Sequence, residues 1–247
     1  MADKPILSLS SIVIGICIVA SAAIFANAYK YKFRTAENVT VTGLAEVDFT
    51  SDLIVWEGNY SRKSFELKDA YAQLKRDEQA IRQYMKSKGI ADSSIIISAV
   101  DLQKEFNNTY DKNGMMTSSV FNGYNLTQRV KIQSRDIEKV ENISRQVTEL
   151  IESGIEFNSI PPSYYYTKLA DLKMNLLAAA SKDAMQRAET IAESANSKLD
   201  KLKKASMGVF QITGRNSNEE FSYGGSYNTS ERHKTASITI RMEYSLN

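Results

Sequence analysis

NVTVTGLAEVDFTSDLIVWEGNYSRKSFELKDAYAQLKRDEQAIRQYMKSKG, residues 38–89, changes its hydrophobic period partway along, and that change sets the fold class. Asn38–Val47 and Asp52–Arg62 are rich in Val, Thr, Ile and aromatic residues, which predicts two strands joined by Asp48–Ser51. A hairpin is the simplest arrangement for them. After Ser64, a candidate cap, the apolar residues switch to three- and four-residue spacing at Leu67, Ala70, Tyr71, Leu74, Ile81, Tyr84 and Met85. This pattern predicts a helix to about Lys88, stopped by Gly89, whose stripe faces a core rather than a cofactor.

Toward the C-terminus the same logic continues. Ser94–Asn107 and Ser119–Ser134 read as a second strand pair, joined by NTYDKNGMMTSS, where Asp111 to Gly114 supply turn chemistry and the join is long enough to stand out from the sheet. Asp136–Ser153 predicts a helix with Ile137, Val140, Ile143, Val147, Leu150 and Ile151 on one face, ended by Gly154. A strand near Ile155–Ile160 follows, ended by Pro161-Pro162, which cannot donate to a ladder. The third helix, Leu169–Asn196, carries Ala at 170, 178, 179, 180, 184, 188, 192 and 195, small side chains that admit another element close to its backbone. The last pair is Lys204–Thr213 and Lys234–Leu246; in the latter Ala236, Ile238, Ile240 and Met242 alternate with Ser237, Thr239, Arg241 and Glu243. The order ββαββαβαββ is an α+β chain of antiparallel strand pairs packed with three helices. Two strand-pair-plus-helix units follow each other over residues 38–153, without residue-level repetition.

The N-terminal segment sets the class. Pro5–Ala28 contains no charged residue, and as a helix it would reach about 36 Å, enough to cross a bilayer. Ile6, Leu7, Ile12, Val13, Ile14, Ile16, Ile18, Val19, Ile24 and Phe25 are the apolar residues expected to meet lipid. Ala26-Asn27-Ala28 would suit a signal peptidase, so a cleaved secretory signal is the competing reading; the apolar run exceeds the roughly 7–15 residues of a cleavable core, which favours an uncleaved signal anchor. Residues 1–29 are therefore an anchor, 30–37 a basic tether and 38–247 the domain it carries. Cys17 follows Ile16 rather than the small residue a lipoprotein signal needs, and takes no role. Lys30, Lys32 and Arg34 after the span outnumber Lys4 before it, a bias that on its own favours a cytoplasmic C-terminal domain.

Composition excludes several classes. The 247 residues, 43% hydrophobic and 24% charged, can bury a substantial core, and 31 Lys plus Arg against 29 Asp plus Glu leave a net charge of only +2, too balanced for a nucleic-acid coat. A single His and a single Cys leave no disulfide framework, Cys/His zinc site or Cys-His dyad, and hydrolase, nucleotide-binding and metalloprotease motifs are absent. His233, between Arg232 and Lys234, reads as a surface residue. Asp77, Glu78, Glu138, Glu141, Glu189 and Glu193 sit beside Lys or Arg at helical spacing and read as solvated pairs. No catalytic residue, cofactor or metal is expected. Six N-x-[ST] triplets, at Asn38, Asn59, Asn107, Asn125, Asn142 and Asn228, fall partly inside expected elements and read as accidental.

Two stretches remain as candidate oligomer interface or pore loop. PPSYYYTK, residues 161–168, sets Tyr164, Tyr165 and Tyr166 at a strand-to-helix junction, suited either to an interface or to the edge of the core. GRNSNEEFSYGGSYNTSER, residues 214–232, is a long connection with Glu219, Glu220, Phe221, Tyr223 and Tyr227, either an ordered interaction loop or a mobile tip.

VTVTGLAEVDFTSDLIVWEGNYSRK, then KSKGI and SIIISAV, resembles the opening of the SIMPL-domain family, a domain of unknown function. YTKLADLKMNLLAAASKDAMQRAETIAESANSKLDKLKKASMGVFQIT resembles its later region, an Ala-rich helix with K-D-A and R-A-E steps leading into a strand, and the similarity reaches TASITIRMEY. It covers roughly residues 38–246. The resemblance implies an exported bacterial protein, here a single-pass inner-membrane protein with its domain in the periplasm, from a family with no established enzyme activity, and no enzyme is expected. It also implies association with oxidative or envelope stress tolerance and assembly into large homo-oligomeric rings resembling channels. The expected partners are thus the lipid bilayer and further copies of the chain, with no nucleic acid; the alternative is a monomeric or dimeric binding module that takes a peptide or envelope component beside the third helix.

Overall fold

The computed structural model describes residues 9–33 and 37–247. Its first helix, α1 (Leu9–Phe33), continues past the expected span into the basic segment, so Lys30 lies on the helix rather than in a tether. Ile12–Lys30 is long and apolar enough to cross a membrane. Ile12, Val13, Ile14, Ile16, Ile18, Val19, Ile24 and Phe25 are all exposed, so from Ile12 to Phe25 the helix is apolar on every side and uncovered among the described residues. Ile6 and Leu7 lie outside the described residues.

The chain then forms β1 (Asn38–Thr50), β2 (Leu53–Ser64), α2 (Leu67–Ser87), β3 (Ile95–Ile97), β4 (Asp101–Tyr110), β5 (Met116–Ser134), α3 (Ile137–Gln146) with a 3-10 continuation to Ser153, β6 (Phe157–Ser159), β7 (Ser163–Tyr165), α4 (Leu169–Ser194), β8 (Leu199–Met207), β9 (Gln211–Gly214), β10 (Ser226–Tyr227) and β11 (His233–Leu246). The fold is α+β. A five-stranded sheet runs β1-β11-β9-β10 with β8 also on β11, and a six-stranded sheet runs β3-β5-β2-β6 with β4 on β5 and β7 on β2. The residues cluster into two compact units, one of Leu44–Asp183 and Met207–Ile240, the other of Met1–Gly43, Ala184–Ser206 and Arg241–Asn247.

In the larger unit, β2 alternates strictly, placing Ile54, Trp56 and Tyr60 on the core side, each at most 1% exposed. Ala70, Leu74, Ile81 and Met85 of α2 and Val140, Ile143 and Val147 of the α3 segment cover that face. Phe157 closes it, stacked against Trp56 (5.8 Å between centroids) and Tyr60 (6.4 Å). That stacking requires Gly58, because a Cβ there would lie 2.3 Å from the Phe157 ring. The polar tips are satisfied: Trp56 Nε1 donates to Ser159 Oγ (3.0 Å) and the Tyr60 hydroxyl to Gln128 Oε1 (2.7 Å). In the smaller unit the α4 residues Ala184, Ala188 and Ala192 are buried and Ala195 is exposed; in the larger unit Leu176 and Ala180 are buried and Ala170, Ala178 and Ala179 are exposed.

Several sequence expectations are corrected. The first two strands do not form a hairpin: β1 joins one sheet and β2 the other, because the Ser51-Asp52 corner is tied elsewhere. Ser51 N–H donates to Arg232 O (2.9 Å) and Asp52 N–H to Tyr165 O (3.0 Å). Ser64 stays in β2, its hydroxyl accepting from Glu66 N–H, so it does not cap α2. Leu67 and Tyr71, at the exposed start of α2, are not core. Asp77 is not a solvated acid. It is 7% exposed and takes Arg62 Nη2 on Oδ1 (3.0 Å), while the same nitrogen donates to Gly154 O (2.7 Å). The tyrosine junction contains an unexpected strand, β7, which resumes pairing directly after Pro161-Pro162. The expected strand over Lys204–Thr213 is two strands, β8 and β9, separated at Gly208–Phe210.

Candidate interaction surface

The long join expected between the second pair of strands is instead strand. β4 and β5 continue as a hairpin to a turn over residues 111–115, where Asp111 Oδ1 accepts from the Asn113 and Met115 amides (2.8 and 2.9 Å). β5 has two halves. From Tyr124 onward it pairs with β2 and alternates into the core; from Met116 to Phe121 its residues are all exposed and pair with β4. The change comes at a register shift between Glu105 and Phe106, opposite Gly123 and Phe121. Gly123 has φ +107, and a Cβ there would meet Ser64 O at 2.9 Å, so this corner needs glycine. Beyond it, Phe106–Tyr110 and its partner strand project by about 17 Å at the usual rise per residue.

This arm has apolar residues and nothing over them. Phe106 is 50% exposed, Tyr110 61%, Met115 66%, Met116 59% and Val120 61%. Its root is an aromatic cluster in which Phe121 meets Phe65 (6.4 Å), Phe106 (5.8 Å) and Tyr124 (5.1 Å) edge-on. The sequence predicts a join that stands out here but not its strand character, since strands exposed on both faces lose the alternation that marks a half-buried strand.

The two stretches singled out from the sequence meet in space. Tyr164 N–H donates to Thr229 O (2.7 Å), which ties β7 to the 214–232 connection. Lys234 locks the junction: it is 1% exposed, its Nζ donates to Tyr164 O (2.6 Å), and it lies 5.6 Å from the centroid of the Tyr227 ring. Burial pulls its ammonium down to about 8, with Glu219 and Glu231 opposing. The connection is internally bonded. Gln211 Oε1 accepts from Ser222 N–H, Ser226 N–H and the Ser226 hydroxyl, and Glu219 accepts from Gly214 N–H and the Asn228 amide. Phe221 and Tyr223 remain at the surface, 70% and fully exposed, and Glu220 is exposed beside them.

The tyrosines are half-buried. The Tyr164 hydroxyl donates to Glu141 Oε1 (2.9 Å), and burial, reinforced by that carboxylate, pushes its pKa up to about 12. Tyr165 forms the β7–β2 pair with Leu53, and Tyr166 packs its ring 5.0 Å from Phe49. His233 Nδ1 lies 3.1 Å from Thr50 Oγ1 with no acid–base partner assembled around it. Among the described residues no three His, Cys, Asp or Glu side chains come together as a metal site.

In the smaller unit a groove of about 630 Å³ runs between β1 and α4, lined by Thr40, Val41, Thr42, Gln186, Thr190 and Ile191.

No curated protein matches this chain. A family model described as SIMPL, protein of unknown function (DUF541), matches residues 39–244, from the second residue of β1 to within β11. The chain is a member of the SIMPL family.

Proposed function

We propose that this is a non-enzymatic envelope protein, held in the bacterial inner membrane by α1 with its SIMPL domain in the periplasm, that assembles with copies of itself into a ring- or channel-like scaffold. The observation that carries the reading is the β4–β5 arm. A two-stranded ribbon is marginal by itself in water, and this one leaves a strand edge and a methionine-tipped apolar surface uncovered. The chain also carries an apolar recess of about 330 Å³ that fits such a tip, lined by Leu44, Val209, Phe221, Tyr223 and Ile238. An arm on one copy entering a recess on the next is a head-to-tail contact, which repeats around an axis to close a ring. Tyr164, Tyr165 and Tyr166 and the loop at Glu219, Glu220, Phe221, Tyr223 and Tyr227 border that contact or the opening it encloses. Converging α1 helices then hold the membrane by avidity. The link to oxidative or envelope stress tolerance rests on the family resemblance.

The test is the mass in solution, by light scattering, of the full-length protein in mild detergent and of a chain beginning at Tyr29. A large discrete assembly is expected in both, and a variant with residues 106–121 replaced by Asn-Gly is expected to fall to monomer with its secondary structure intact. Monomers from both starting proteins would sink the scaffold. They would leave the second reading, a binding module, which the β1–α4 groove favours because a peptide could add there as an edge strand.

A further inference from the structure

We propose that the cleft at the N-terminus of α3 binds a small oxyanionic ligand, through a carboxylate or a phosphate group. The cleft, about 530 Å³, is lined by the Ser51-Asp52 corner, Arg135 to Glu138, Thr167-Lys168 and Arg232. Two of its buried polar atoms have no hydrogen-bond partner, Ser51 Oγ and Arg232 Nε, and Ser51 is only 3% exposed. Arg232 Nε can only donate and the Ser51 hydroxyl can donate, so an acceptor is the group that would satisfy both.

The lining holds three cations, Arg135, Lys168 and Arg232, against three carboxylates, Asp52, Asp136 and Glu138, so what decides is how far each is already paired. Asp52 already accepts on both oxygens, from Thr167 N–H (2.7 Å) and the Thr167 hydroxyl (2.6 Å), and it feels the charge of Arg135. Asp136 caps α3 through Lys139 N–H (3.2 Å) and pairs with Lys139 Nζ (3.0 Å). Glu138 is 78% exposed and approaches Arg232 only at 3.7 Å, while Glu141 lies 3.9 Å from the same guanidinium. The cations are less committed: no carboxylate lies within ion-pair distance of Arg135 or Lys168 among the described residues. The positive end of α3 adds to them.

The full-length protein in mild detergent is titrated calorimetrically with sodium phosphate and, separately, with sodium N-acetylglycinate, at constant ionic strength made up with chloride. Saturable binding of at least one is expected, about tenfold weaker in Lys168→Gln and in Ser51→Ala. Ser51→Ala removes a hydroxyl that no protein group satisfies, so the unliganded variant is expected to melt no lower than the parent, which separates lost binding from lost folding. Phosphate alone saturating assigns a phosphate ligand; N-acetylglycinate alone assigns a carboxylate. No saturable heat from either, or unchanged binding in both variants, would overturn the site. Neither outcome bears on the assembly, which is read by mass.

Discussion

At the scale of single residues, Gly58 and Lys234 carry the sharpest consequences. Gly58→Ala drives a methyl into the ring of Phe157, itself clamped between Trp56 and Tyr60, so the ring must move or the strand must bend. We expect a loss of about 1–3 kcal/mol, seen as a lower urea midpoint at unchanged slope. Lys234 acts through pH. Its folded pKa of about 8 lies below the ordinary 10.5, so between those values the unfolded chain holds a proton that the folded chain has released. Stability therefore rises with pH across that window, by about 3 kcal/mol at most. Tyr164 works in the opposite sense: its raised pKa gives stability that is present below pH 10 and lost as pH climbs toward 12. Lys234→Met is expected to flatten the rise between pH 8 and 10, measured by chemical denaturation; a rise that persists would remove Lys234 as its cause. Lys234 was legible in principle, since Ala236, Ile238, Ile240 and Met242 share its side of the strand by parity. A lysine at the mouth of a strand reads as solvent-facing until its partners, Tyr164 O and the Tyr227 ring, are known.

At the scale of elements, α4 and the arm differ in how they show in the sequence. The alanines of α4 announce a close-packed helix, and burial separates them: Ala180, Ala184 and Ala188 are fully covered, while Ala179 is exposed. Ala188→Leu should cost about 1–3 kcal/mol or more by overpacking, and Ala179→Leu almost nothing, a contrast that a pair of thermal melts reads directly. If the two cost the same, the buried face is not tightly packed. Helix ends were legible too, because Gly89 and Gly154 adopt positive φ where the helical period stops. Strand partners were not. Propensity identifies β1 and β2 as strands, but only Ser51 and Asp52, bonded to Arg232 and Tyr165, turn the chain from one sheet into the other. The strand character of the arm was hidden because neither of its faces is buried, and β7 because a proline pair ends one ladder without preventing another from starting directly after it.

At the scale of the whole molecule, the α+β class and the three helices set between groups of strands were readable, and the juxtapositions were not. The oxyanion cleft draws on four separate segments, around Ser51, Arg135, Lys168 and Arg232, so no linear motif encodes it. The same holds for the junction of β7 with the 214–232 connection. Long-range pairing also governs the first strand, whose only ladder partner among the described residues is the last. Thr50 meets His233 across 183 residues of chain, and Asn38 meets Glu243 across 205. A ribosome adding roughly 5–20 residues per second needs roughly 10–40 s to make the intervening segment. Throughout that interval β1 waits as an unpaired strand, and the newborn protein depends on whatever keeps that strand from its neighbours until β11 arrives.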